Sequence, residues 1–184
     1  MNGNRAVLAV VVALVLVVAG WWVFKRSRNT EGVNLMATFE MAAKKPSPDF
    51  FSVEDASLNN DTKKAIVIQP QGGTRLTWKV TVPDDAWFSV AVGLKPEVWQ
   101  KEGDGVKFLV GVSDGRHFEE LFSQYVNPFG NPGDRRWIPI MVDLSTYAGE
   151  QVEIYLNTYS SLPGKAVSTQ NDLALWGAPE IVIR

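Results

Sequence analysis

The sequence predicts an all-β protein, a jelly-roll β-sandwich preceded by a single N-terminal transmembrane helix. The helix is predicted by residues 6–24, nineteen residues without a charge or a proline. At about 1.5 Å per residue, a helix of this length spans the hydrocarbon core of a bilayer. The sandwich is predicted by residues 65–184, where short runs rich in valine, isoleucine, phenylalanine and tryptophan are separated by glycine, proline, aspartate and asparagine. Such spacing is typical of antiparallel sandwiches.

The flanks of the apolar segment favour a retained anchor over a cleavable secretory signal. Cleavage after Ala19 would leave a soluble protein that begins with glycine and two tryptophans. In a retained helix, which follows a short tail of residues 1–5, these aromatic side chains and the basic residues after them lie at the membrane interface. The residues expected there are Trp21, Trp22, Lys25, Arg26 and Arg28.

The orientation of this anchor stays open, because two rules give opposite answers. Basic residues are concentrated after the span, and the positive-inside rule therefore places the bulk of the chain in the cytoplasm. A short N-terminal tail that leads directly into the apolar helix is instead typical of signal anchors, which translocate the chain that follows.

The rest of the chain has the length of one ordinary domain. Residues 25–48 mix charges, small residues and prolines, which favours a juxtamembrane linker that merges into the domain. Within this linker, the apolar patch 33–41 is interpreted as a helical turn or a first strand. Residues 49–184 form the predicted β-sandwich domain.

Eight strands are predicted in the sandwich from alternating or continuous apolar runs. Leu76, Trp78 and Val80, for example, fall on one face of a strand, and the threonines and lysine between them fall on the other. The pair Asp114-Gly115 stands between two such runs and predicts a hairpin turn. The predicted strands are 65–69, 75–82, 87–93, 106–113, 117–125, 136–143, 151–158 and 174–183.

Composition excludes several classes of chemistry. The chain has no cysteine and one histidine, so it has neither a disulfide framework nor a thiolate nucleophile nor a cysteine-ligated metal. Its net charge of -2 is a poor electrostatic match for nucleic acid. No cofactor is expected, and nucleic acid is not an expected partner.

One motif suggests a serine hydrolase. Residues 111–115 fit the pattern G-x-S-x-G, and the single histidine, His117, follows closely. A nucleophile elbow, however, needs a strand that turns into a helix and a histidine from far downstream. Here Ser113 leads through Asp114-Gly115 into another predicted strand, so a hairpin turn is the favoured interpretation.

Acidic doublets are the other catalytic candidates. A glycosidase needs two carboxyl groups that face each other across a sugar. Neighbouring residues on a strand point to opposite faces, so Glu119 and Glu120 do not form such a pair, and Asp84-Asp85 is interpreted as a turn. The protein is therefore expected to have no enzymatic activity.

Two kinds of binding site remain open. A structural Ca²⁺ site would use oxygen ligands from separated loops, with Asp49, Asp172 and Glu180 as the candidates. Sugar or partner binding would use aromatic and basic side chains near the longest irregular segment, 127–137, although aromatic residues in sheets also serve packing. The candidate partner or glycan contacts are Phe129, Arg135, Arg136, Trp137, Trp99 and Tyr159.

The C-terminal part of the chain resembles a known family. The runs VDLSTYAGEQV at 142–152 and DLALWGAP at 172–179 are similar to the closing strands of galactose-binding-like jelly-roll modules of bacterial envelope and membrane proteins. The resemblance covers residues 65–184 and implies scaffold roles, with Asp143 capping a turn and Trp176 filling the sandwich. It also implies a location outside the cytoplasm, and it implies no ligand-binding residue.

These observations lead to two functional hypotheses. The first is a non-enzymatic subunit, anchored in a bacterial inner membrane, whose periplasmic or extracellular sandwich binds the face of a larger complex, such as a respiratory or photosynthetic one. Its partners are the bilayer and other membrane-protein subunits. The alternative is a tethered carbohydrate-binding module that recognises envelope glycans.

Overall fold

The computed structural model describes residues 31–69, 72–160 and 168–184. In these ranges the chain forms eleven β-strands and, as its only helical segments, five short 3-10 turns. The strands are β1 (Val33–Asn34), β2 (Ala43–Lys45), β3 (Phe51–Leu58), β4 (Asp61–Ile68), β5 (Gly73–Thr81), β6 (Ala86–Leu94), β7 (Val106–Ser113), β8 (Phe118–Val126), β9 (Ile138–Asp143), β10 (Gln151–Tyr159) and β11 (Ala174–Ile183). The 3-10 turns are Phe39–Met41, Pro48–Phe50, Pro96–Val98, Pro132–Asp134 and Ser145–Tyr147.

The predicted anchor lies outside the described ranges, as do its interface residues Trp21, Trp22, Lys25, Arg26 and Arg28. Among the residues that are described, no helix has the length and apolar character needed to cross a bilayer. The transmembrane helix therefore stays a prediction.

The strands build two sheets that pack face to face. Sheet A has the strand order β3-β4-β11-β6-β9, and β1 pairs with the second half of β11. Sheet B has the order β2-β5-β10-β7-β8. The pairings in both sheets are antiparallel, and strands far apart in sequence, such as β4 and β11, lie side by side. The prediction of an all-β sandwich is confirmed, and the strand order is consistent with a jelly roll.

Most predicted strands agree closely with the structure. Strands β7 and β11 have the predicted bounds, and the predicted Asp114-Gly115 turn joins β7 to β8. Its geometry explains the sequence: Gly115 has a φ of +88°, and Asp114 Oδ1 accepts hydrogen bonds from the backbone N–H groups of Arg116 and His117. Apolar runs bounded by turn residues were sufficient to locate these strands, although both faces of β7 and β11 are largely buried.

The described part of the predicted linker is not a linker, because it contributes strands to the sandwich. Residues 33–45 belong to the sandwich rather than to a linker, because β1 pairs with β11 and β2 pairs with β5. Leu35 is fully buried and Phe39 nearly so. The apolar patch 33–41 contains both of its predicted alternatives, a strand and a helical turn.

The main core lies between the two sheets, and Trp176 connects them. This β11 residue has no exposed surface, and its ring meets the ring of Phe108 on β7 edge to face, with 5.1 Å between the ring centroids. Its indole N–H donates a 2.9 Å hydrogen bond to the hydroxyl of Thr158 on β10. Trp176 therefore has the sandwich-filling role that the resemblance implied.

A second, smaller core lies on the other side of sheet A. Alternate residues of β4, β6 and β11 that face away from the main core are also buried, among them Ala65, Val67 and Leu175. Leu58, at the end of β3, packs so closely over Gly93 that a Cβ at position 93 would lie 2.5 Å from its side chain. The β3–β4 hairpin therefore covers part of this sheet's outer face.

Candidate functional site

Four long or irregular connections meet at one end of the sandwich. Strands β4, β6, β8 and β10 all end there, and β5, β7, β9 and β11 all begin there, as the pairing registers show. We call this end the loop end, and its described residues are 69, 72, 95–105, 127–137, 160 and 168–173. All six predicted contact residues lie in these connections or, for Tyr159, at the last position of β10.

Side-chain hydrogen bonds tie these connections to one another. Asn171 Nδ2 donates to the carbonyl of Glu102 at 2.9 Å, which joins the β10–β11 and β6–β7 connections. Arg135 donates through Nε to the carbonyl of Pro128 at 2.9 Å and approaches the carbonyl of Trp99 at 3.5 Å. Arg135 therefore braces the β8–β9 loop against the β6–β7 loop.

The β8–β9 loop is held in shape by its own polar residues. Asp134 accepts hydrogen bonds from the backbone N–H of Asn127 and from the side chain of Asn131. Arg136 is exposed, and its Nε donates to the carbonyl of Gly133 at 3.1 Å. Phe129 is 45% exposed, so it remains accessible as a contact residue.

The predicted aromatic contacts differ in accessibility. Trp137 is only 6% exposed, packs in the second core and donates its indole N–H to the carbonyl of Asp61 at 2.9 Å. Trp99 is half-buried and donates its indole N–H to the carbonyl of Leu94 at 2.8 Å. Tyr159 is half-buried beside Gly73. The packing of Trp137 gives it a structural role in this state of the protein.

The loop end contains a polar pocket of about 290 Å³. Its described wall carries amide, ammonium and hydroxyl groups from the β4–β5, β6–β7 and β10–β11 connections, with two apolar side chains among them. The lining residues are Gln69, Val98, Lys101, Thr169, Asn171, Asp172 and Leu173. The sequence did not predict this pocket, because its residues come from separate connections; of its lining residues, only Asp172 was a candidate, as a Ca²⁺ ligand.

Asp172 is the most unusual residue of the pocket. It is 2% exposed, and neither carboxylate oxygen has a hydrogen-bond partner among the described residues. Burial raises its pKa to about 7; the nearby Ser160 hydroxyl opposes this rise, and the charge of Asp104 adds to it. A carboxyl group in this environment changes its charge near neutral pH.

Tyr125, at the end of β8, belongs to the same polar group. Its pKa is raised by burial and by the charges of Asp104 and Asp172, while a hydrogen bond with Asn127 acts in the opposite direction. The backbone beside it is tightly packed: Gly105 has a φ of +80°, and a Cβ there would lie 2.6 Å from the carbonyl oxygen of Val126. This contact holds Asp104 close to the end of β8.

The predicted Ca²⁺ ligands do not converge. Glu180 pairs with Ser89 on β6, eight positions along the chain from Asp172, which is roughly 25 Å at the usual strand rise. Asp49 is exposed and is hydrogen-bonded to Ser47. In the described ranges no three acidic or histidine side chains form a metal-binding group.

The G-x-S-x-G motif lies at the opposite end of the sandwich. Ser113 ends β7, and its hydroxyl accepts a hydrogen bond from the backbone N–H of Gly115 at 3.0 Å. His117 Nδ1 lies 3.6 Å from the carboxylate of Asp114, and its side chain is 87% exposed. The motif is a hairpin turn, as the sequence analysis favoured.

This two-sheet architecture is the galactose-binding-like jelly roll, the fold implied by the sequence resemblance. Solved carbohydrate-binding modules share it. TmCBM61, determined in complex with beta-1,4-galactotriose, matches 79% of this chain and 90% of its own, with a TM-score of 0.53 and 14% identity. The CBM51-1 and CBM51-2 domains with the M60 catalytic domain of Clostridium perfringens ZmpB match 77% of this chain and 13% of theirs, with a TM-score of 0.51 and 18% identity. At these identities the likeness shows the fold.

Sequence comparison finds a relative without an assigned role. An uncharacterised protein of Archaeoglobus fulgidus is 40% identical over 125 residues, which is 67% of this chain. The chain spans only 28% of the length of that relative. No protein-family model matches the chain.

Proposed function

We propose that this domain is a non-enzymatic carbohydrate-binding module and that it binds glycans at the loop end. The observation that carries the proposal is the polar pocket, in which hydrogen-bonding side chains from three connections surround a cavity of about 290 Å³. This volume is at the lower end of the range for ligand sites, about 300–1,000 Å³, and suits one or two sugar rings. The likeness of the fold to carbohydrate-binding modules supports the same conclusion.

The chemistry of the wall fits a sugar. Gln69, Lys101 and Thr169 present groups that donate to or accept from hydroxyls, whereas Val98 and Leu173 offer apolar surface to ring C–H groups. Lys101 is exposed, so it is available to a ligand. Phe129, in the β8–β9 loop at the same end of the sandwich, is an exposed aromatic side chain.

The comparisons favour this function over the accessory subunit that the sequence analysis placed first. The matched solved structures are carbohydrate-binding modules, and one of them was determined with a galactose trisaccharide. Beta-1,4-galactotriose is therefore the first probe, followed by a panel of envelope glycans.

The test is isothermal titration of the full chain with beta-1,4-galactotriose, together with a glycan array. Detergents with sugar headgroups must be avoided, because they would compete for the pocket. Gln69→Ala and Lys101→Ala are expected to weaken binding about 10-fold each, since a hydrogen bond to a charged or buried partner contributes about 1.5 kcal/mol. Arg116→Ala, an exposed change at the opposite end, is the matched control and is expected to bind like the wild type.

Two results would contradict the proposal. One is the absence of any signal on the array and in titrations at millimolar glycan. The other is binding that neither pocket variant weakens, because the ligand would then lie elsewhere. If the protein binds no glycan and membrane subunits co-purify with it in stoichiometric amounts, the accessory-subunit hypothesis is favoured instead.

We also propose that the module is tethered to a membrane and faces away from the cytoplasm. The support is the predicted span 6–24 with Trp21, Trp22 and the basic residues after it, together with the envelope setting implied by the resemblance. Extraction of membranes at alkaline pH should leave the chain in the pellet. External protease should digest the sandwich in cells made permeable only at their outer layer; protection of the sandwich would reverse the orientation.

A further inference from the structure

A second pocket lies at the β2 edge of sheet B, away from the loop end. Strand β2 pairs with β5 only from Arg75 to Thr77, and the pocket lies against the residues of β5 that follow. Its volume is about 310 Å³, and more than half of the side chains that line it are apolar. We call these apolar residues the Met41 surface: Val33, Met41, Ala43, Trp78 and Val80.

Met41 is the most exposed large apolar side chain in the described ranges, at 83%. The turn that carries it is fixed to the sandwich, because Phe39 and Ala42 on either side are buried and the ammonium of Lys44 donates to the carbonyl of Phe39 at 2.7 Å. The fold therefore holds Met41 in solvent beside an apolar pocket. This arrangement is a contact surface rather than a single scattered apolar residue.

The predicted anchor identifies what covers the Met41 surface. Only residues 25–32 separate Val33 from the end of the predicted span at residue 24. A chain of this length reaches at most about 30 Å, at about 3.5 Å per residue, so the bilayer lies within that distance of Val33. The loop end lies elsewhere, since Gly73 begins β5 there, roughly 20 Å from Val80 along the strand.

We propose that the Met41 surface rests on the bilayer that the anchor of the same chain spans. The inference depends on the proposed membrane tether and is independent of glycan binding. Burial of one methionine side chain favours the contact by roughly 10-fold. This preference is too small to bring a free domain to a vesicle, but it is sufficient for a domain that a short tether keeps beside the lipid.

The charges near Met41 predict which lipids support the contact. Lys79 lies 3.5 Å from the carboxylate of Glu153, and Lys44 lies 3.9 Å from that of Glu40. Each of these ammonium groups has a carboxylate neighbour, so apolar burial rather than attraction to anionic lipid drives the contact. It should therefore be equally strong on phosphatidylcholine alone and on vesicles that also contain an anionic lipid. The loop-end pocket then stays in solvent, where glycans reach it.

The experiment uses the full chain in phosphatidylcholine vesicles whose lipids carry a nitroxide quencher. Because the chain has no cysteine, one introduced cysteine carries a fluorophore at a single position. Ala43→Cys reports from the pocket and keeps Met41, and Glu102→Cys, at an exposed loop-end position, is the matched control. The label at position 43 is expected to be quenched by the lipid, and the label at position 102 is not. Adding Met41→Ser should reduce quenching at position 43 to the level at position 102.

Flotation of the same vesicles tests the tether separately. If the chain floats and the label at position 43 is quenched no more than the label at position 102, the proposal is overturned and the tether stands. Quenching that persists in the Met41→Ser chain also overturns it. If the chain does not float, both the tether and the lipid contact are wrong.

Two controls complete the test. Met41→Ser changes an exposed side chain, so its Tm should equal that of the wild type, which shows that lost quenching does not reflect misfolding. The size of the labelled chain is measured by sedimentation. A label at position 43 that is shielded from water but not quenched by lipid, in a chain that sediments as a dimer, assigns the Met41 surface to a second copy and overturns the proposal.

Discussion

Replacing Trp137 distinguishes a packing role from a ligand-contact role at the loop end. The indole is 6% exposed, packs in the second core and donates to the carbonyl of Asp61 at 2.9 Å. Truncation of a buried aromatic residue costs about 3 to 5 kcal/mol, of which a hydrogen bond accounts for about 1. Trp137→Ala should therefore lower Tm by roughly 6 to 20 °C, and Trp137→Phe, which keeps a ring in the core, by much less.

The assay is urea and thermal unfolding followed by circular dichroism, with glycan affinity measured on the folded fraction. Trp87→Ala is the matched control: Trp87 is only half-buried, near the opposite end of the sandwich, and its ring meets the guanidinium of Arg184. Trp87→Ala should lower the free energy of unfolding less than Trp137→Ala does. If Trp137→Ala leaves stability unchanged and abolishes glycan binding, the packing argument is refuted and Trp137 is a contact residue.

Three further outcomes are expected. Thr158→Val leaves the buried indole N–H of Trp176 without its acceptor and should cost about 1 to 3 kcal/mol in urea unfolding; an unchanged midpoint would show that another acceptor replaces the hydroxyl. Gly93→Ala places a Cβ 2.5 Å from Leu58 and should destabilise the protein, and its combination with Leu58→Ala should cost less than the sum of the two single changes. Burial, followed by the hydrogen bond to Glu119, raises the pKa of Tyr147 to about 12. The stability that this group contributes is therefore complete below about pH 10 and is lost as the pH rises through about 12. In an ultraviolet titration, Tyr147→Phe should lack the ionisation step near pH 12.

The sequence predicted those strands that form continuous or alternating runs of apolar residues and end at a recognisable turn. Strand β3 was missed because its alternation breaks in the middle. Phe51 and Val53 pack against the main core, whereas Ala56 and Leu58 pack in the second core, and two exposed acidic residues separate the pairs. A strand that leaves one core for another has no single period of two, so pattern reasoning does not detect it.

The residues predicted as contacts lie together at the loop end, but the sequence did not predict the polar pocket there. Their role in binding a partner or a glycan stays a prediction. Accessibility was beyond sequence reasoning, because whether Trp137 faces solvent depends on the hairpin that carries Asp61. The effect of the Asp104 charge on the pKa of Asp172 likewise depends on the folded sandwich, since nothing in their local sequence relates them.

The second core has a consequence for how substitutions will distribute along the chain. In an ordinary sandwich, Ala65 and Val67 would face solvent and accept polar residues, while Ile66 and Ile68 would not. Here all four are buried, two against each core. A saturation mutagenesis scan should therefore find an unbroken block of intolerant positions in β4, beside freely variable positions at the rim of the loop end. Residues at the rim of the loop end can thus vary in this scaffold while the adjoining strand stays nearly invariant.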